Sequence, residues 1–245
     1  MAAYLADRYG LRDVRVWHNC FPAADAATLA DPSDRPMGDG PVELAWISAT
    51  VGPGRGLEDI FAAIPRLRSR VALHLYGEVG LEHRAWLERQ IAPIRERTPV
   101  VLHPVQPADR MLIALATHHI GLSLDHGNTL NRSLTVSNKF FLYLQAGLAC
   151  IATATPGHRS VFPSDDTFGG MYAPGDIAAL ASLVDRLADP RVLASAREAA
   201  WLAGRTTYLW DREQQTFLDA VAHALMVSPP QPDRAASRHH AGSAL

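Results

Sequence analysis

The sequence predicts an α/β fold, a doubly wound parallel sheet, and three observations carry that expectation. From Val42 onward, short apolar runs of strand length alternate with amphipathic stretches of helix length, the order that puts helices on both faces of a parallel sheet. The stretch from Ser137 to Gly157, SNKFFLYLQAGLACIATATPG, reads as a helix closed by Gly147, a buried strand and then the turn dipeptide Pro156-Gly157, and a helix feeding a strand in this way is half of a parallel βαβ unit. Turns rich in glycine or proline follow the first three strands, at Gly52–Gly56, Gly77–Gly80 and His103–Pro107. They would lie at the carboxyl ends of the strands, where open α/β sheets bind ligands.

The elements follow in order. Met1 to Gly10 reads as a short helix, and Asp13 to His18 alternates with period two, as a strand does. Asn19 to Pro41 is rich in Ala, Asp, Pro and Gly without periodicity and reads as a linker. One helix and one strand cannot enclose a core, so residues 1–18 are expected to be a remnant of a preceding domain, residues 19–41 the linker and residues 42–226 one domain. Within that domain the expected strands are Leu44–Ser48, Val71–Tyr76, Val100–His103, Ile120–Leu124, Ala149–Thr153 and Gly170–Tyr172. The expected helices are Leu57–Leu67, Leu81–Ile94, Ala108–Ala116, the one opening at Ser137, Ile177–Leu187, Arg191–Ala203 and Arg212–Met226. Residues 227–245 have little apolar content and read as a disordered tail.

Composition excludes several classes. The chain of 245 residues has a net charge of -2, so it carries no nucleic-acid footprint. Apolar runs are too short for a membrane span, and the N-terminus lacks a basic stretch ahead of a long apolar core. Two cysteines, Cys20 and Cys150, do not make a disulfide framework, which points to a reducing cytoplasm.

The residues that could carry chemistry lie at the expected ligand edge. Ser48 to Gly56, SATVGPGRG, places glycines between a strand and a helix, where backbone amides and the helix N-terminus can meet a phosphate. It is not a dinucleotide fingerprint, because Leu57 stands where the third glycine would be, and it lacks the Gly-Lys-Ser/Thr ending of a P-loop. In the helix opening at Ser137, whose hydroxyl is a candidate cap, Lys139 sits in the first turn. The helix dipole disfavours a cation there, so Lys139 is expected to serve an anion held at that end. His118 and His119 are adjacent and point apart, His239 and His240 fall in the tail, and no His-x-x-x-His pair or Cys cluster is present, so no metal is expected. Asp125-His126 reads as a solvated loop pair, and no Gly-x-Ser-x-Gly elbow supports a hydrolase.

The central run also resembles the donor-site helix of GT-B glycosyltransferases, with Asn138, Lys139, Phe141, Tyr143, Ala146, Gly147, Ile151 and Ala152 in matching positions. Ala149 replaces the usual proline, and Leu142 stands where the family usually has the glutamate that holds the donor ribose. The resemblance covers nearly all of Val42 to Met226 and implies the Rossmann-like C-terminal half of a GT-B fold. It implies a donor-binding domain that transfers a sugar from a nucleotide-sugar donor, without a metal cofactor, in polysaccharide or cell-envelope glycan synthesis. It assigns Arg55 and Lys139 to the departing diphosphate, and Gly54, Gly56, Gly77, Val105, Asn138 and Tyr143 to donor binding. A separate N-terminal acceptor domain or subunit is the implied partner. Leu142 keeps open an alternative, a nucleotide-sugar binding or regulatory module with impaired turnover, or the donor subunit of a split enzyme.

Overall fold

The computed structural model describes residues 1–35, 38–163 and 166–226; the expected tail, 227–245, lies outside the described residues. In chain order the elements are α1 (Ala2–Tyr9), β1 (Val42–Thr50), α2 (Leu57–Ala63), β2 (Val71–Glu78), α3 (Leu81–Ile91), β3 (Val100–His103), α4 (Ala108–Leu115) and β4 (Ile120–Ser123). They continue with α5 (Leu130–Leu134), α6 (Asn138–Ala146), β5 (Ala149–Thr153), α7 (Pro156–Arg159), β6 (Gly169–Tyr172), α8 (Ile177–Leu187), α9 (Pro190–Thr206) and α10 (Trp210–Met226). The strands form one parallel sheet in the order β3-β2-β1-β4-β5-β6.

Parallel pairing keeps paired residues on one face, and the register sorts the side chains accordingly. Leu44 pairs with Leu73 and Ile120, Trp46 with Leu75, so these point together and are covered by α2, α3 and α8. Ala45 and Ile47 share the opposite face with Tyr76, Cys150 and Ala152, under Leu112 and Leu115 of α4 and Phe140, Phe141 and Leu144 of α6. With both faces covered, β1 reads as a nearly unbroken apolar run, as strands inside parallel sheets do. Helix α9 bridges the two layers, giving Leu193 and Ala196 to one core and Ala200 and Ala203 to the other.

Three expectations require correction. Asp13 to His18 forms no strand, because no neighbouring strand offers it a ladder. Pro156-Gly157, expected as a turn, opens α7: the proline occupies the first turn, where its missing N–H is not needed, and Thr155 Oγ1 accepts from His158 N at 3.2 Å. Ser137 precedes α6 as expected but makes no side-chain cap hydrogen bond.

Residues 19–35 are held firmly to the domain. Cys20 and Ala26 are buried, and Gln145 Nε2 donates to the Pro22 carbonyl at 2.7 Å. The Arg35 guanidinium donates to the carbonyls of Ala116 and Ala146, which end α4 and α6 and have no partner within their helices. Arg197 then donates to the Arg35 carbonyl at 2.8 Å. By contrast, α1 buries none of its residues.

Candidate functional site

The strand order changes direction between β1 and β4, since β1 continues outward to β2 and β3 while β4 starts the run to β6. The crevice outside the carboxyl ends at such a point is the usual ligand site of an open α/β sheet. A cleft of about 310 Å³ opens there. One wall is Ile47, Ser48, Ala49 and Arg55 of β1 and its loop; the facing wall is Tyr76, Val105 and Met111. Asp125, after β4, and Ser137, Asn138, Lys139 and Leu142 at the N-terminal end of α6 complete it.

Arg55 and Lys139, which the resemblance assigns to one diphosphate, thus line one cleft, together with Val105 and Asn138. They differ in state. Arg55 is partly exposed and, among the described residues, has no ion pair or hydrogen bond. Lys139 is buried and its Nζ lies 3.1 Å from Asp125 Oδ2 and 5.1 Å from the Trp46 ring centroid. Burial pushes its ammonium below the ordinary lysine range; Asp125 opposes the shift, and Arg55 and Arg132 add to it. The lysine in the first turn of α6 is therefore matched by a carboxylate of the protein itself.

The glycines act through the backbone. Gly56 precedes α2 with φ 81° and lies so close to the Leu124 carbonyl that a Cβ there would overlap it, so this glycine seats the loop on the end of β4. Gly54 N donates to Glu58 Oε1 at 2.6 Å, and the Gly54 carbonyl accepts from Arg132 Nη1 at 2.9 Å. Gly77 is not in a turn: β2 runs on to Glu78, and Gly77 is buried where a Cβ would overlap the Ser48 carbonyl. Neither Gly77 nor Tyr143 lines the cleft. Tyr143 is fully buried; its hydroxyl accepts from Ile47 N at 3.1 Å and donates to the Leu122 carbonyl at 3.2 Å. Its phenol bridges β1 and β4 across the switch point, and the donor-contact expectation for it is withdrawn.

Sequence reasoning passed over Arg132 and Asp59, and its reading of Asp125-His126 as a solvated pair is corrected: each side chain meets a buried partner. Asp125 is the counter-ion of Lys139. Arg132 pins the glycine loop from α5, a five-residue helix too short to show periodicity. Asp59 is a buried hub: its Oδ2 accepts from His126 Nε2 at 2.8 Å, Tyr172 OH at 2.8 Å and Gly175 N at 3.0 Å. That hub places the Asp125-His126 loop. The signal available was an acidic residue in the first turn of α2, which helix-dipole preference already explains.

A scan against known protein families finds no match, and a search of curated proteins finds none. Among solved structures, the chain is similar to a sucrose-phosphate synthase from Thermosynechococcus elongatus, at 16% identity and TM-score 0.68, over 92% of this chain and 56% of that one. It is similar to the Anabaena protein HepE, solved in complex with UDP, at 14% identity and TM-score 0.69, over 85% of this chain and 57% of that one. It is also similar to a glycosyltransferase from Rickettsia africae, at 14% identity and TM-score 0.69, over 92% of this chain and 62% of that one. The chain spans less than two thirds of the length of each. The likeness at these identities is one of fold: the chain has the architecture of the C-terminal half of a GT-B glycosyltransferase.

Proposed function

We propose that this chain binds a nucleotide sugar in the switch-point cleft and forms the donor half of a glycosyltransferase. The observation that carries the reading is Arg55, a guanidinium without a protein partner among the described residues, facing the N-terminal end of α6 across that cleft. A nucleoside diphosphate supplies the charge that both elements lack. As the bond from sugar to diphosphate breaks, negative charge grows on the departing oxygen, and preorganised donors there stabilise the transition state more than the ground state. Arg55 serves that charge directly. Lys139 adds its field from behind its pair with Asp125, and Asn138 and Val105 sit where the donor's remaining polar and base groups would pass. The diphosphate charge is met by side chains and helix amides, without a metal cofactor.

The acceptor wall would come from an N-terminal domain or a separate subunit, because a cleft enzyme must orient both reactants to gain its rate. A role in polysaccharide or envelope glycan synthesis, in the cytoplasm, fits this reading; Cys20 and Cys150 are both free, and no described helix is long and apolar enough to cross a membrane. A second reading, donor binding without turnover, is favoured by Leu142, which lines the cleft where the resemblance puts the ribose-binding carboxylate.

Calorimetric titration with UDP tests the proposal. A charged hydrogen bond contributes about 1.5–3 kcal/mol, so Arg55→Ala is expected to weaken UDP binding by about ten- to a hundredfold. An unchanged affinity, or no UDP binding by the unaltered chain, would sink the reading. UDP binding without sugar transfer from the sugar nucleotide, even when an acceptor domain and acceptor are supplied, selects the second reading.

A further inference from the structure

Behind the Tyr76 wall of the cleft, three histidines from separate elements converge. His74 lies in β2, His103 ends the edge strand β3, and His118 lies between α4 and β4. One ring nitrogen from each lies within 4.8 Å of the others. Register explains the meeting: His103 pairs with Tyr76, and Tyr76 shares a sheet face with His74 two residues earlier. His118 closes the group from above, its ring edge-on to His74 with centroids 4.4 Å apart.

The hydrogen bonds around the group sort the nitrogens. His74 Nε2 lies 2.6 Å from Glu43 Oε2, so it carries the proton and leaves Nδ1 with a lone pair. His118 Nδ1 lies 3.0 Å from the Ala114 carbonyl, so it too is the protonated nitrogen and Nε2 is free. His74 Nδ1 in turn stands 2.8 Å from His103 Nε2. The outward nitrogens of His74 and His118 are each held by an oxygen acceptor, and each inward nitrogen of the group is a donor lone pair or can become one. This is the carboxylate- and carbonyl-buttressed arrangement that orients imidazole toward a metal. Ring packing alone would not call for a carboxylate on the far side of His74.

We propose that His74, His103 and His118 bind one divalent transition-metal ion of the zinc class, with Glu43 and the Ala114 carbonyl as buttresses and a fourth position open to water. Imidazole suits such ions, and three protein ligands with one open position is a known zinc pattern. Zinc–nitrogen bonds of about 2.0–2.1 Å in a tetrahedron put ligand nitrogens about 3.3 Å apart. The His74–His103 contact must open by about half an ångström, and the longer separations, up to 4.8 Å, must close toward the same spacing as the rings turn onto the ion. His103 moves its proton to Nδ1, and no proton is released from the site. The His74 side chain, 17% exposed, leaves a way in. A bound ion would tie β2, β3 and the α4–β4 turn together. It would also fix the Tyr76 ring, which stacks on His103 at 4.2 Å and lines the cleft.

The test is zinc titration of the full chain with His239 and His240 replaced by Ala, which removes the histidine pair outside the described residues. Calorimetry should give one zinc per chain, and cobalt in its place should show the visible absorption of a low-coordinate nitrogen site. His103→Gln and His74→Gln should each weaken zinc binding by at least about a hundredfold, and Glu43→Gln by about ten- to a hundredfold. Zinc should raise the thermal midpoint of the histidine-intact protein and not that of His103→Gln. If His103→Gln does not fold, Glu43→Gln alone decides, since it leaves all three ligands in place. Zinc binding that is absent, or that survives these substitutions unchanged, overturns the site.

Discussion

Replacing Lys139 by Met, alone and together with Asp125→Asn, separates the two things this lysine can do. Its Nζ and Asp125 Oδ2 are 3.1 Å apart, with side chains 8% and 17% exposed. At an effective dielectric of about 20, that separation gives an attraction of about 5 kcal/mol, while withdrawing each ion from water costs several kcal/mol. The pair is therefore close to neutral as a unit, but each ion alone is costly. Lys139→Met leaves a buried carboxylate without its cation and should cost about 3–5 kcal/mol. That is a large share of the 5–15 kcal/mol typical of a domain.

Asp125→Asn should cost a similar amount by leaving Lys139 unpaired beside Arg55 and Arg132. The double variant should then cost much less than the two together, with a coupling energy of about 2–3 kcal/mol, the upper range for residues in contact. Urea unfolding at pH 7 measures the cycle, and UDP titration of the double variant measures the function. If the lysine acts mainly through Asp125, the double variant keeps UDP affinity within about threefold, far from the Arg55→Ala loss. Additivity within about 0.5 kcal/mol, or single losses below about 1 kcal/mol as in exposed pairs, would refute the buried-pair reasoning. A double variant that is stable but loses UDP as Arg55→Ala does would return Lys139 to direct phosphate contact.

Further outcomes are expected elsewhere. Gly56→Ala forces a Cβ into the Leu124 carbonyl at φ 81°, whereas Gly54→Ala at φ 75° meets open space. The latter should cost only the left-handed penalty of about 1–2 kcal/mol and Gly56→Ala clearly more, by thermal unfolding; equal losses would show that the loop does not rest on β4. His158 is buried with Nδ1 2.9 Å from the Thr153 carbonyl and Nε2 3.0 Å from Ser123 Oγ. Burial lowers its pKa; the Thr153 bond and Asp125 oppose this, and Lys139 assists it. A base whose folded pKa lies below its unfolded value of about 6.5 contributes stability present above that pH and lost as pH falls through it toward the folded pKa. His158→Gln should therefore flatten the decline in stability below pH 6.5, and an unchanged slope assigns the decline to other groups. Leu142→Glu should raise UDP affinity about tenfold by offering the ribose a charged acceptor, because the position lines the cleft. Lower stability without any gain in binding would end the ribose-site reading.

The layered fold was legible because its signals are local. Alternating strands and helices, the Gly147 stop and the apolar run at Ala149–Thr153 each depend on residues within one element, and β5 spans those same residues. The carboxyl-end edge followed from the parallel order, whereas the switch point between β1 and β4 required the strand order of the sheet. Failures came where the outcome depended on distant partners. Asp13–His18 has strand periodicity but no strand to pair with. Tyr143 fits a donor-helix pattern, yet the direction of its side chain is set by backbone groups of β1 and β4. The dipole reasoning for Lys139 pointed to a bound anion, whereas the anion at 3.1 Å is the protein's own Asp125, which nothing local in the sequence identified. The three histidines, at positions 74, 103 and 118, have no sequence spacing that a metal signature would recognise, because parallel register and a turn bring them together.

The stretch expected to be a linker shows the same principle at the level of architecture. Its composition is that of a connector, and a flexible one would let a preceding domain move freely. Arg35 instead closes the buried carbonyl ends of two helices, α4 and α6, from a position sequence-distant from both. Arg205 donates to the Ala26 carbonyl at 2.9 Å, and Ala23 N donates to Asp211 Oδ2 at 2.9 Å. The stretch is thus clamped to α6, α9 and α10, the first of which opens on the cleft. Any body joined through residues 19–35 would have its attachment fixed relative to the N-terminal end of α6, and so to Arg55 and Lys139. The clamp continues upstream of residue 19, since His18 N donates to Glu213 Oε2 at 3.3 Å and the Trp17 ring packs edge-on against Phe217 of α10, so sequence composition alone misplaces where this stretch is held.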